Sequence, residues 1–272
     1  GLLRAPASNP REFAEANWRG GVQWQFGPAS TVTGVSQKWR RPASAGSLAP
    51  IDTLGIALND RLTTNGGLYR RKRIQLDHEA SAATFVQGFV DRETVQNISS
   101  PLTVVVPDLQ LTQLESLRNR RDAFSVQPEL EDAPQFLEGR VNSYGFGVNH
   151  RISRDHTLAL RYRRADAQQT GLRDGPRIPY VARDYLRLAS HWSLPERWLL
   201  GANATWRGER FRDELNSAAQ RIEAGWIVGL SAYWESADKR WVAQAILDNL
   251  RHNRGSSDDR ASKLILRASY LF

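Results

Sequence analysis

The chain has 272 residues, with 37 Lys and Arg against 29 Asp and Glu for a formal charge of +8, and it contains neither Cys nor Met. Hydrophobic residues make up 40% and mean hydropathy is −0.52; no apolar run reaches the roughly 18 residues of a membrane-crossing helix, which excludes an α-helical membrane protein. Without thiols there is no disulfide framework and no thiolate metal site. The basic excess would suit nucleic acid, but no nucleic-acid-binding motif occurs. A basic lumen, or a surface meeting anionic lipid heads, accounts for it better. Gly1 in place of an initiator Met is expected to be a processed or excised start.

In chain order, Asn9-Pro10-Arg11-Glu12 has the cap, the first-position Pro and the acidic first turn of a short helix, so residues 1–16 are expected to be a linker or short helix. The period then changes to two. Trp18, Val22, Trp24 and Phe26 alternate with Arg19, Gln23 and Gln25 until Gly27-Pro28 ends the segment. Further strands are expected at 31–40, 53–62, 69–78 and 82–91, although the basic run 70–73 starts its strand poorly for a lipid-facing surface. Residues 92–139 do not alternate and are expected to form one long loop folding back toward the barrel mouth. Within it, Leu109, Leu114 and Leu117, followed by Arg118, Arg120 and Arg121, fit a short amphipathic helix.

The second half alternates more cleanly. Tyr144, Phe146 and Val148 oppose Ser143, Gly145, Gly147 and Asn149. Leu158, Leu160 and Tyr162 oppose Thr157, Arg161 and Arg163, while Leu186, Leu188 and Trp192 oppose Tyr185, Arg187 and His191. Trp198, Leu200, Ala202, Ala204 and Trp206 oppose Gly201, Asn203, Thr205 and Arg207. Trp226, Val228, Leu230 and Trp234 oppose Gly229, Ser231, Tyr233 and Glu235. Residues 240–249 alternate without a definite face. In the last strand Leu264, Leu266, Ala268, Tyr270 and Phe272 oppose Arg267 and Ser269. One apolar, aromatic face and one polar face suit a wall between lipid and a wet lumen.

Loop lengths agree with that wall. Tight turns are expected at 153–155, 194–197, 236–239 and 78–81, whereas the connections near 164–183, 208–224 and 250–261 are long and charged. Pro28 would then sit on an unusually short outer loop. Trp198 and Trp206 lie eight residues apart, as do Trp226 and Trp234; on a tilted strand that is roughly 20 Å of depth, the spacing of two interfacial girdles. The expected fold is an all-β, transmembrane, antiparallel up-and-down barrel of about twelve strands over 17–272.

The ending of the chain resembles the closing strand of bacterial outer-membrane barrels. That resemblance implies that Tyr270 and Phe272 form an assembly signal read by the barrel-assembly machinery. The run 179–188, then Leu199-Leu200-Gly201-Ala202, Trp206 to Glu214 and Asp248-Asn249-Leu250, is similar to the final strands of TonB-dependent receptors and covers roughly the last 95 residues. Those receptors carry an N-terminal plug and about 22 strands, and neither is visible in 272 residues. Exopolysaccharide export porins, with smaller barrels on periplasmic modules, are similar in architecture.

The five histidines, His78, His150, His156, His191 and His252, share no metal-ligand spacing and are expected in turns or lumen. An outer-membrane phospholipase has a similar length, but its His-x-Ser-Asn-Gly context is absent at His156-Thr157-Leu158, and no Gly-x-Ser-x-Gly elbow occurs; no enzyme and no cofactor is expected. Asp213 with Glu214, and Asp258 with Asp259, could hold calcium, though solvated loop charge explains them as well.

The lumen remains. Arg19, Gln23, Asn149, Arg161, Arg163, Arg187, His191, Asn203, Arg207, Lys263 and Arg267 fall on the inferred inner faces as a cationic wall that attracts anions, unless pairing with acids such as Glu138 and Glu235 makes them braces of a filled barrel. The leading expectation is an outer-membrane channel or export pore passing anionic solutes or polymer, the barrel module of a longer chain with both termini periplasmic. Its expected partners are outer-membrane lipids, lipopolysaccharide and a periplasmic export component. The alternatives are a TonB-receptor-like barrel that binds ligand or phage through its loops, and an autotransporter-type translocator.

Overall fold

A computed structural model describes residues 17–41, 52–58, 62–64, 66–97, 136–170, 172, 175–248 and 263–270. Its strands are β1 (Trp18–Gln25), β2 (Ser30–Arg40), β3 (Asp52–Thr53), β4 (Ile56–Ala57), β5 (Leu68–Ser81), β6 (Thr84–Gln96), β7 (Glu138–Arg151), β8 (His156–Gln169), β9 (Asp184–Leu194), β10 (Trp198–Arg207), β11 (Arg210–Phe211), β12 (Arg221–Ile222), β13 (Gly225–Glu235), β14 (Trp241–Asp248) and β15 (Lys263–Tyr270). Eleven of them form one sheet in the order β1-β2-β5-β6-β7-β8-β9-β10-β13-β14-β15. Every neighbouring pair is antiparallel, an up-and-down meander.

Residues 53–62 do not supply a twelfth wall strand. Leu54 and Gly55 have φ of 52° and 77°, a left-handed pair that reverses the chain within two residues. The result is the small β3–β4 hairpin. Removing that strand resolves the anomaly at Pro28, because the β1–β2 turn now lies at the rim of the other tight turns. β6 runs on to Gln96 and β7 begins at Glu138, so both ends of the expected 92–139 loop are strand; 98–135 lie outside the described residues. The turn expected at 78–81 falls at 82–83, since β5 continues to Ser81. Among the described residues, β1 starts at the long-loop rim and β15 runs toward the tight-turn rim. Residues 1–16, Phe272 and the helix expected at 109–121 lie outside the described residues.

The register fixes the faces. Thr33, Gln37, Arg71, Gln75, Asp91, Glu93, Val141 and Ser143 are buried on one side, while Ile74, Val90 and Tyr144, the chain neighbours of Gln75, Asp91 and Ser143, are exposed on the other. We call the first side inner. β14, ambiguous by alternation, takes its face from β13 and β15: Leu247 pairs with Leu230 and Leu264, and Trp241 with Tyr270. The outer face thus carries an apolar band edged by aromatics at the tight-turn rim. Trp198 meets Trp234 with ring centroids 6.2 Å apart, Trp241 meets Tyr270 at 4.9 Å, and His156 stacks on Trp192 at 5.0 Å. His78, His150 and His156 belong to this outer rim rather than to a lumen. Each has a hydroxyl partner across the sheet: Ser30 at 2.8 Å, Thr84 at 2.9 Å and Ser190 at 2.8 Å.

Candidate functional site

At the long-loop end the inner face is covered by the bases of the loops themselves. Leu62, Phe136, Ile178 and Val181 come from three different connections and pack on the inward Tyr69, Val95, Val141, Ala165 and Ala167. Tyr69 and Val141 are fully buried. Gly139 makes room for this roof, since a Cβ there would sit 2.6 Å from Ile178 Cδ1 and 2.8 Å from a Phe136 ring carbon.

Polar side chains tie the roof down. The Asn97 amide donates to Leu62 O at 3.1 Å and to Phe136 O at 3.0 Å, and its oxygen accepts from Thr64 N at 2.8 Å. Gln37 Nε2 donates to Thr53 Oγ1 at 3.1 Å and Arg71 Nη1 to Ala57 O at 2.8 Å, which hold the β3–β4 hairpin against the inner face. Asn216 pairs with both backbone groups of Arg177, at 2.6 and 3.0 Å, and Tyr180 N donates to Phe211 O at 2.7 Å. These contacts join the 170–183 and 208–224 connections.

Beneath the roof lies a buried charge network. Arg71 Nε donates to both Asp91 oxygens, at 3.1 and 2.9 Å, Arg71 Nη2 closes a second bond to Asp91, and Glu93 lies 3.7 Å from Arg71 Nε. Arg73 lies 3.7 Å from Asp91 and covers the Phe89 ring at 4.0 Å from its centroid. Two arginines against two carboxylates brace β5 to β6, and such a network is costly to break from either side.

Across the sheet the balance tips to positive. Arg161 pairs directly with Arg187 in the β8–β9 register, and in the next row Arg163 and Arg207 flank Tyr185. The four arginines therefore form one patch on three strands. Arg161, Arg163 and Arg207 are only 6%, 8% and 9% exposed; Arg187 is half-buried and His191 exposed. Arg161 lies flat over Gly147 and donates to Asn149 Oδ1 at 3.3 Å. Asn203 is inward on β10, where it pairs with Ala189 of β9 and Gly229 of β13.

The remaining residues expected at the site are scattered. Arg19 and Gln23 are inward on β1, where Gln23 reaches Thr33 Oγ1 at 3.5 Å. Arg267 is inward on β15, at the opposite end of the strand order, and Lys263 is placed only by its backbone pairing with Asp248. Glu235 takes Arg197, at 3.6 Å, and not an inner arginine. The loop carboxylate of Asp213 accepts from Ser217 N at 3.0 and 3.1 Å and from its hydroxyl at 2.5 Å. This self-satisfied turn uses the oxygens that a cation would need, and Asp258 and Asp259 lie outside the described residues. Of the roof, only the fold-back of the 92–139 loop was expected; the parts played by Leu62, Ile178 and Val181 and the buried network were not foreseen, and the signal available for the network was the inward charge of Arg71, Asp91 and Glu93 on two strands that pair.

No family model matches the chain, and no curated protein matches it in sequence. Solved structures do. BauA, the ferric preacinetobactin receptor of Acinetobacter baumannii, matches with a TM-score of 0.57 and 9% identity over 93% of this chain and 36% of that one. The FrpB iron transporter of Neisseria meningitidis gives 0.53 and 10% over 93% and 38%. The closed form of Fiu, the ferric-catecholate import receptor of E. coli K12, gives 0.51 and 14% over 86% and 30%. At such identities the likeness is one of fold: the antiparallel up-and-down sheet is similar to part of the barrel walls of these receptors, in line with the resemblance of residues 179–250. The chain spans about a third of the length of these structures.

Proposed function

We propose that this chain forms part of the wall of an outer-membrane receptor-type transport barrel and engages an anionic ligand at the loop-covered end of its inner face. The observation that carries this reading is the roof. Leu62, Phe136, Ile178 and Val181 cap inward side chains that an open export pore would leave to water, which favours the receptor alternative over the channel. Below the roof, the Arg161, Arg163, Arg187 and Arg207 patch supplies positive potential in a confined, low-dielectric setting where it attracts anions strongly.

The ligand class follows from charge and from the fold neighbours, whose names specify a ferric catecholate and ferric preacinetobactin. An anionic ferric chelate is the ligand proposed here. Tyr270 and Phe272 are proposed to serve barrel assembly, and the outer face to meet outer-membrane lipid. Planar-bilayer recording of the refolded chain tests the choice between receptor and pore. The receptor reading expects no steady open-channel current; a stable, anion-selective conductance would restore the export pore.

A further inference from the structure

The chain returning toward β9 leaves a gap beside the end of β8. Ala165 N donates to Arg183 O at 2.7 Å, and Ile178 N donates to Ala167 O at 3.2 Å. Between these two bonds β8 advances only from 165 to 167 while the returning chain advances from 178 to 183, so residues 179–182 loop out opposite Asp166. An excess of residues on one side of a ladder interrupts the pairing and re-aims side chains. The loop-out is anchored: Pro179, Val181 and Ala182 are buried, and Tyr180, at a φ of 61°, donates its N–H to Phe211 O at 2.7 Å.

A cavity of about 360 Å³ fills the gap, a volume at the low end of small-molecule sites. Ala165, Ala167 and Val181, which also belong to the core beneath the roof, form its apolar side. Asp166, Arg177 and Arg183 are its charged side chains. Arg177 is engaged by Glu209 at 3.8 Å, and the amide of Asn216, another lining residue, is spent on the Arg177 backbone. Arg164, the preceding outward residue of β8, is engaged by Asp184 at 3.8 Å, and across β7 Asp166 faces the uncharged Asn142. Asp166 and Arg183 are exposed, and among the described residues neither side chain makes a hydrogen bond or ion pair, with the other or with any third group. The amide of Gln168, also in the lining, is uncommitted in the same way. One cavity thus presents a carboxylate and a guanidinium that do not close on each other. An anion would use only the second and an amine only the first; a zwitterion uses both.

We propose that this cavity binds a free α-amino acid, with its ammonium on Asp166, its carboxylate on Arg183 and a polar side chain against the Gln168 amide. Both contacts to the charged head are charge-assisted hydrogen bonds, and the planar fork of Arg matches a carboxylate in two bonds at once. The site shares no residue with the Arg161, Arg163, Arg187 and Arg207 patch, so it does not rest on the ferric-chelate reading.

The test is a saturation-transfer NMR titration of L-glutamine against the folded full chain in neutral detergent. Wild type should bind it saturably. L-glutamine methyl ester, which lacks the carboxylate, and N-acetyl-L-glutamine, which lacks the ammonium, should each bind at least about fivefold more weakly, the scale of one lost charged contact. Asp166→Asn and Arg183→Gln should each weaken L-glutamine by a similar factor, and Asp166→Asn should no longer prefer it to the N-acetyl form. The comparison of the three ligands needs only wild type, so a variant that fails to fold leaves the test intact. No saturable binding by wild type, equal binding of the three ligands, or undiminished binding by both folded variants would overturn the proposal. Ferric-chelate binding by Asp166→Asn and Arg183→Gln should stay unchanged, so failure here is distinct from failure of the receptor reading.

Discussion

Arg161 and Arg187 face each other directly across β8 and β9 on the inner side of the sheet. Opposed like charges destabilise a sheet by roughly 0.2–1 kcal/mol, so this pair costs the fold unless something else uses it. Gly147 reduces the cost by leaving room for the Arg161 guanidinium: a Cβ at that position would lie 2.2 Å from Nη1. We therefore expect Arg187→Gln to raise stability by about 0.2–1 kcal/mol in a urea refolding titration while it weakens anion binding. A loss of stability would show that the pair is bridged within the protein.

Gly139 should be the glycine least tolerant of a side chain. Gly139→Val drives methyls into Ile178 and Phe136, an overpacking expected to cost about 1–3 kcal/mol. Gly88 faces outward, and a Cβ added there would meet nothing within 4 Å, so Gly88→Ala should stay within about 1 kcal/mol of wild type. Refolding midpoints compare the two. Equal effects would mean that the loop bases do not rest on the inner face.

Asp91 anchors the buried network with Arg71 and Arg73. Asp91→Ala leaves Arg71 partly unpaired in a site where its side chain is 5% exposed, a change expected to cost about 3–5 kcal/mol. A loss below about 1 kcal/mol in the same titration would place water, and not protein, around these charges.

The face assignment makes its own forecast. Arg at Leu200 or Leu230, outward in the band, should cost about 2–4 kcal/mol on refolding into bilayers, whereas Arg at Asn203 or Ser231 should cost little. The Leu266 and Ser269 pair on β15 should behave likewise. Equal losses on both faces would reverse or dissolve the inside–outside reading.

The sequence was most legible where each strand stated its own pattern. In β7 to β10, β13 and β15 aromatics and leucines mark the outward face and arginine, asparagine and glycine the inward one, so the faces of Tyr144, Leu160, Arg187 and Trp206 follow from period two alone. Legibility failed where the determining partner lies on another strand. From Asp91 on, β6 presents Arg92, Thr94 and Gln96 outward and Asp91, Glu93 and Val95 inward; two acids share the inward face with one valine, and only the pairing with Arg71 on β5 explains why the acids are buried. Residues 53–62 misled for the opposite reason. Leu54, Ile56 and Leu58 alternate well, but Leu54 and Gly55 turn the chain, and Ile56 is buried against the inner face as part of a hairpin. The roof itself depends on contacts between connections distant in sequence, which no local period records.

The most direct test is an equilibrium titration of the folded chain with a ferric tris-catecholate anion, followed by tryptophan fluorescence, for wild type and for Arg161→Gln/Arg187→Gln. The account predicts saturable binding by wild type that weakens with added salt and falls at least about tenfold in the double variant, with refolding no worse than that of wild type. Saturable binding of equal strength in both proteins, or none in wild type, would contradict it.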